Sequence, residues 1–287
     1  MNYAVTACNG QLGSTILREV FKQKSADDEV IGIARSPLKA QFLVDELGVE
    51  VRKGDYDSQL EFEKALVGID AVLLVSSMAE PEDRLDQHRH VIAAAKKAGV
   101  KKIVYTSIQG MEEGTGFSPV VKSNRKTEED IKESGLDYVI GRNGIYIEPD
   151  VEYIDTYVKM GHIKNCAGDG KCGYTTRKEL AYAYYKMLTE DKHNGQTYNL
   201  NGEAITQMEL ATYLNEAFDT RLDYKPISFE AFKKCLKILS GTFLVKLFQA
   251  SIKESLLVLK IIRVTSKKQR GALIYLGAST FPIYVEK

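Results

Sequence analysis

"TACNGQLG", residues 6–13, decides how the rest of the chain is read. It follows the short apolar run "YAV" and precedes Ile16, Leu17, Val20 and Phe21 at helical spacing, so a strand, a tight turn and a helix are expected in that order. Gly10 and Gly13 stand three apart, where a backbone passes close to a pyrophosphate and a helix then packs against a strand. The unpaired N–H groups and the dipole of such a helix start favour an anion. The glycine usual at the head of this pattern is replaced by Ala7. Its methyl group requires a φ that alanine tolerates or a slightly opened loop, and Asn9 is the residue expected to supply a left-handed turn. Cys8 has two readings: a thiol whose pKa is lowered at the helix start, or a small residue filling a small gap.

Outward from this loop, apolar runs alternate with helix-period segments. "EVIGIA" (29–34), "GVEVRKGD" (48–55), "AVLLVSS" (71–77), "KKIVYTS" (101–107) and "DYVIGRN" (137–143) read as strands, and with the first run they make six. The continuous apolar run at 71–77 must be covered on both faces. Six strands separated by helices predict an α/β fold, a Rossmann-like doubly wound parallel sheet over residues 1–150. Residues 151–287 read as a smaller C-terminal α/β annex on the substrate side, interleaved with the first region and helix-rich at its end. "QTYNLNG" and "RLDYKPIS" are short strands there, "AGDGKCGYTT" is a turn-rich loop, and "TQMELATYLNEAF" is a helix.

Bulk properties exclude several classes. Lys plus Arg and Asp plus Glu both number 39, so no overall field draws the chain to nucleic acid or to an acidic membrane. The balance is uneven, since from Phe232 onward nine Lys and two Arg face only Glu254 and Glu286. Four cysteines without C-x-x-C spacing signal no metal site and no disulfide framework. The most apolar stretch, "SLLVLKIIRV", is too short to span a bilayer, and a cytoplasmic chain without a membrane span is expected. Oligomeric state is not legible, and a homodimer is left open.

The second strand ends "IAR". Where an NAD-preferring site offers a carboxylate to the ribose hydroxyls, this chain offers Arg35, whose guanidinium suits a 2′-phosphate, so NADPH (NADP) is the expected cofactor.

With "GQLG", "IARSPLKAQ", "GVEVRKGDYDS", "VLLVSS", "QHRHVIAAAKKAGVKKIVYTS", "TEEDIKESGLDYVIGRNGIY" and "AGDGKCGYTTRKELA" in this order, residues 3 to about 230 resemble the NmrA-like atypical short-chain dehydrogenases/reductases. Within that group the chain is similar above all to bacterial type 2 NAD(P)H:quinone oxidoreductases and triphenylmethane reductases. The resemblance implies that Ala7, Cys8, Asn9, Gly10, Gln11 and Leu12 wrap the pyrophosphate and that Arg35 takes the 2′-phosphate. Ser76, Ser77 and Met78 would lie along the ribose, and Arg142, Asn143, Gly144, Ile145, Tyr146 and Ile147 would border the nicotinamide. Asn143 and Tyr146 would face the substrate as the catalytic pair, and Arg177 corresponds to a further cofactor-side arginine. For Arg142 and Asn143 the competing reading is an ion pair and strand-end capping.

Alcohol chemistry in this superfamily needs Tyr-x-x-x-Lys, so that the lysine eases proton transfer at the phenol. The spacing occurs at Tyr182 and Lys186, downstream of the expected place, and reads as chance; Asn124 stands where related reductases carry a lysine. A quinone needs no such acid, because hydride transfer gives a stabilised hydroquinone anion that solvent can protonate. Aromatic walls suffice, with Tyr105, Phe117 and Tyr146 as candidates, and "QGMEEGTGFSP" (109–119) is either a lid or a surface loop. The expectation is therefore an NADPH-dependent reductase of quinones or similar flat conjugated acceptors. A non-catalytic NADP(H)-sensing redox regulator is the alternative, and a sugar-nucleotide epimerase lacks its tyrosine and its NAD preference.

Overall fold

The computed structural model describes residues 1–114, 118–228 and 230–232. Phe117 and the basic, helix-rich end read beyond Phe232 lie outside the described residues. The elements in chain order begin β1 (Asn2–Val5), α1 (Gln11–Gln23), β2 (Glu29–Ala34), α2 (Gln41–Leu47), β3 (Val51–Lys53) and α3 (Gln59–Ala65). They continue β4 (Ala71–Val75), α4 (Pro81–Ala98), β5 (Lys102–Ile108), α5 (Ser118–Lys132) and β6 (Asp137–Asn143). Next come β7 (Ile145–Tyr146), α6 (Glu148–Glu152), α7 (Ile154–Met160), β8 (His162–Asn165) and β9 (Cys172–Thr175). The last are α8 (Arg177–Thr189), β10 (Gln196–Leu200), β11 (Ala204–Ile205), α9 (Gln207–Phe218) and β12 (Asp223–Pro226).

The chain divides into two compact units. The first holds Met1–Asn143 and takes the chain back for Arg177–Leu200. Its seven strands lie in the order β10-β6-β5-β4-β1-β2-β3, and every pairing is parallel. All six strands expected from the sequence are present, and the seventh, β10, joins at the edge beside β6. From β1 the chain runs outward through β2 and β3, then returns to β4 on the other side of β1. The order therefore reverses between β1 and β4, which opens the ligand crevice at the carboxyl ends of those strands.

The packing follows from composition. All five residues of β4, "AVLLV", are buried because helices cover both faces of the sheet. One face packs Ile31, Ile33, Val72, Leu74, Ile103 and Ile140 against Phe62 and Leu66 of the α3 segment and Val91, Ile92 and Ile131 of α4 and α5. On the other, α1 buries Ile16, Leu17 and Val20, and α8 packs beside it with Leu180, Tyr184, Met187 and Leu188 buried.

The second unit comprises Gly144–Thr176 and the described chain from Asn201. It holds a three-stranded sheet β11-β9-β7 and a parallel pair β12-β8. Ile147, Val151, Ile163, Leu210, Leu214 and Tyr224 form its core. The turn-rich reading of 167–176 changes here, since Cys172–Thr175 pairs on both sides as β9. No local pattern marks four residues of mixed polarity as a strand; the pairing partners do. A capping box between Thr206 and Glu209 starts α9.

Candidate functional site

The loop after β1 is built around the Ala7 carbonyl. The Gly10 N–H donates to it at 2.9 Å, and a Cβ on Gly13 would lie 2.3 Å from it. Gly13 is therefore required by the close approach of α1 to the loop. Ala7 adopts φ +47°, so the left-handed residue is Ala7 itself and not Asn9. Alanine can hold this conformation, at a cost of roughly 1 kcal/mol. Asn9, Gly10 and Gln11 are exposed, and α1 begins with no side-chain cap and no acidic residue in its first turn. A helix start so arranged keeps its positive end for an anion brought from outside.

Cys8 does not face this space. It is fully buried, its N–H donates to the Ile33 carbonyl at 3.1 Å, and its side chain packs against Gly32. Burial pushes the thiol pKa up to about 12, the opposite of a reactive helix-start cysteine. The gap-filling reading holds, and only the Cys8 backbone belongs to the loop.

Arg35 follows directly on β2 and is exposed. Among the described residues no hydrogen bond or ion pair engages its guanidinium, and Ser36 beside it caps the following turn, Pro37–Ala40, with no side-chain bond. Lys39, also exposed, adds a second cation in that turn. An arginine without a carboxylate partner at this strand end fits a phosphate monoester on the ribose, and together with the anion-ready start of α1 it fits NADPH.

After β4, Met78 stands 75% exposed while Ser76 and Ser77 are anchored from beneath. The Ser76 N–H donates to Thr106 Oγ1 at 2.8 Å and its hydroxyl to Asn124 Oδ1 at 3.2 Å. The Ser77 N–H donates to His88 Nε2 at 3.0 Å. That bond fixes the tautomer, so the ring proton sits on Nδ1, 3.0 Å from Thr127 Oγ1, whose own hydroxyl donates to the Ser123 carbonyl. Burial, with Arg84 nearby, drives the His88 pKa down to about 3 and keeps the acceptor nitrogen bare. Thr6 couples the two loops, its Oγ1 accepting from the Val75 N–H at 2.9 Å and lying 2.7 Å from the Tyr56 hydroxyl. These supports were not legible in the sequence, because His88 and Tyr56 act on residues 11 and 19 positions away and carry no motif.

Asn143 ends β6 and is nearly buried, with the Tyr184 hydroxyl 2.6 Å from its Oδ1. Arg142 is committed elsewhere. Its guanidinium chelates Glu128, with Nη2 2.6 Å from Oε2 and Nε 3.0 Å from Oε1. Burial would raise the Glu128 pKa, but Arg142, Ser107 and Arg125 hold it below the usual carboxylate value. The ion pair weighed for Arg142 is therefore present, with buried Glu128 as the carboxylate.

Residues 144–147 lie in the second unit. Gly144 lies against the Gly173 carbonyl, Ile145 is 56% exposed, Tyr146 is half-buried, and Ile147 is buried in that unit's core. Arg177 opens α8 in the first unit. Tyr105 is also displaced from its expected part: it is fully buried, donates to Asn124 Oδ1 at 2.6 Å and packs edge-on against His88, so it is a core residue rather than a pocket wall. Tyr182 and Lys186 do not form an acid pair, because the ammonium sits over the Tyr182 ring, 5.8 Å from its centroid, and is bound to Glu190 at 2.6 Å. No group of three or more metal-ligating side chains occurs among the described residues.

A seven-stranded parallel sheet with a glycine loop at its reversal point and an arginine after β2, unpartnered among the described residues, defines a dinucleotide-binding protein of the Rossmann type. The NAD(P)H-binding family profile matches residues 8–191, and the chain belongs to that family. It is 35% identical to quinone oxidoreductase 2 of Escherichia coli (strain K12), over 82% of this chain and 80% of that relative. It is 29% identical to an NmrA-like family domain-containing oxidoreductase of Aspergillus flavus, over 81% of this chain and 76% of the relative. The crystal structure of Citrobacter sp. triphenylmethane reductase complexed with NADP(H) superposes with a TM-score of 0.76 at 32% identity, covering 90% of this chain and 94% of that one.

Proposed function

We propose that the protein is a cytoplasmic NADPH-dependent reductase that passes hydride to a quinone or a similarly flat, conjugated acceptor. The single observation that carries the cofactor choice is Arg35, an exposed guanidinium with no partner among the described residues at the end of β2. The named relatives, a quinone oxidoreductase and a triphenylmethane reductase, support the acceptor class.

NADPH, when bound, supplies the hydride. The loop Ala7–Leu12 would hold the pyrophosphate at the start of α1, with the Cys8 and Gly10 N–H groups already engaged in shaping the loop, and Arg35 would bind the 2′-phosphate through charge-assisted bonds. Ser76, Ser77 and Met78 would border the ribose, with Ser76 held by Asn124 and Ser77 by His88. Asn143 and Tyr146 are the proposed acceptor-side residues, and Gly144, Ile145, Ile147 and Arg177 the proposed cofactor-side positions, as the resemblance implies. No Tyr–Lys acid pair is required, because a reduced quinone is a stabilised anion that takes its proton from water.

The test is NADPH and NADH oxidation against a panel of quinones, with direct cofactor titration of wild type and Arg35→Ala. Arg35→Ala should lose roughly 10- to 100-fold in NADPH affinity, as expected for charge-assisted bonds of about 1.5–3 kcal/mol, with NADH binding and thermal stability unchanged. Unchanged NADPH affinity would sink the assignment of Arg35. Stoichiometric NADPH binding without turnover on any quinone would instead favour the sensor.

A further inference from the structure

We propose that Arg84 is a positioning residue for the cofactor: from α4 its buried guanidinium holds the Ala79 carbonyl, and with His88 one turn further along it fixes the turn 77–79 in the shape offered to the ribose. This rests on the reading of residues 76–78 as the segment that borders the cofactor.

Arg84 and His88 stand four residues apart on α4, so their side chains rise from the same face, and each bonds the backbone of the loop that follows β4. Arg84 Nη2 donates to the Ala79 carbonyl at 2.9 Å, and His88 Nε2 accepts the Ser77 N–H at 3.0 Å. Ser77 Oγ closes the turn from within by accepting the Ala79 N–H at 3.4 Å. Both ends of a three-residue turn are thereby held, while Met78 at its apex stands 75% exposed. The grip of His88 is that of a neutral ring, whereas Arg84 brings a charge to the same place.

That charge is costly to bury. Arg84 is 8% exposed, its Nε is buried without a hydrogen-bond partner, and among the described residues no carboxylate forms an ion pair with the guanidinium. Burial lowers its pKa, with Tyr105 and Glu80 acting the other way. A buried cation with one bond to a carbonyl adds little to folding, and an apolar chain of similar length in its place is commonly neutral or stabilising. What the guanidinium supplies is direction. A methionine would fill the same space but leave the Ala79 carbonyl, in a half-buried residue, to turn to water and carry the turn with it. Arg84 therefore acts through the backbone of 77–79 without touching the cofactor.

The experiment compares full-length wild type, Arg84→Met and Val91→Ala, the last a buried residue further along α4 that packs in the core of the sheet. Three readouts are taken: thermal unfolding, amide hydrogen exchange across residues 76–80 in the protein without cofactor, and NADPH affinity by direct titration. Arg84→Met should keep or raise the melting temperature, exchange about tenfold faster across 76–80, and bind NADPH about tenfold more weakly. Val91→Ala should lose stability and leave the other two readouts within twofold of wild type. If Arg84→Met behaves like Val91→Ala, losing stability with exchange across 76–80 and NADPH affinity unmoved, the proposal is overturned and Arg84 is a packing residue. Faster exchange with unchanged NADPH affinity would instead reject the reading of residues 76–78 as cofactor-bordering, and would still show that Arg84 holds the turn.

Discussion

Gly13→Ala is the sharpest perturbation of the cofactor loop. The added Cβ would sit 2.3 Å from the Ala7 oxygen, 2.9 Å from the Ala7 carbonyl carbon and 3.2 Å from the Cys8 Cα. Ordinary contact begins near 3.4 Å, so the overlap with the oxygen is about 1.1 Å, and every atom met is backbone. No rotamer change relieves it; either the loop lifts or α1 recedes. Overpacking of this kind costs about 1–3 kcal/mol in stability. Lifting the loop also withdraws the N–H groups meant for the pyrophosphate, and losing two such bonds at about 1–1.5 kcal/mol each weakens NADPH roughly 30- to 150-fold. Fluorescence titration of NADPH, run beside thermal unfolding, measures both effects. Gly10→Ala is the internal control, because its Cβ would be 3.2 Å from the same oxygen and needs only a few tenths of an ångström. NADPH binding by Gly13→Ala within twofold of wild type, with an unchanged melting temperature, would refute the reasoning.

The left-handed Ala7 makes the reverse substitution informative: Ala7→Gly removes strain of roughly 1 kcal/mol against an unfolded-state entropy gain of about 0.4–1 kcal/mol, so stability should hold or rise slightly, and denaturant unfolding showing a loss above about 1 kcal/mol would contradict the φ of +47°. Cys8, buried with its pKa pushed up to about 12, should resist thiol reagents in the native protein with or without NADPH, and rapid labelling of Cys8 seen by mass spectrometry would contradict its placement. Asp150 accepts the Tyr157 hydroxyl at 2.8 Å, and burial raises its pKa from 3.8 to about 6 against the lowering effect of that bond. The folded state therefore binds the proton more tightly, its contribution is full below about pH 4, and it is lost as pH rises through about 6. Asp150→Asn should accordingly gain on wild type across that window, by on the order of 2 kcal/mol at pH 7.5, whereas a pH-independent difference would place the carboxylate in water.

The alternation of strands and helices, the loop at 6–13 and Arg35 were legible in the sequence because each depends on neighbours within a few residues. Apolar period, glycine spacing and the residue that follows a strand are local properties, and they determined the parallel sheet and the dinucleotide reading. What only the tertiary structure decided involves partners far apart in the chain. "QTYNLNG" read as a short strand of the annex, yet Gln196–Leu200 pairs with β6, because strand pairing is set by the partner and not by the run itself. Arg142 sits at a strand end suited to a ligand, but Glu128, 14 residues earlier, takes its guanidinium. Cys8 occupies a helix start that ordinarily activates a thiol, yet its side chain turns onto Gly32, and desolvation outweighs the dipole. The resemblance points to Asn143 at the end of β6, while the hydroxyl bonded to its Oδ1 comes from Tyr184, 41 residues on, past the bare backbone of Gly141. Local chemistry thus determined which fold forms and where a cofactor belongs. Long-range packing decided which partners the polar side chains near that place take, since those partners come from segments far off in the chain.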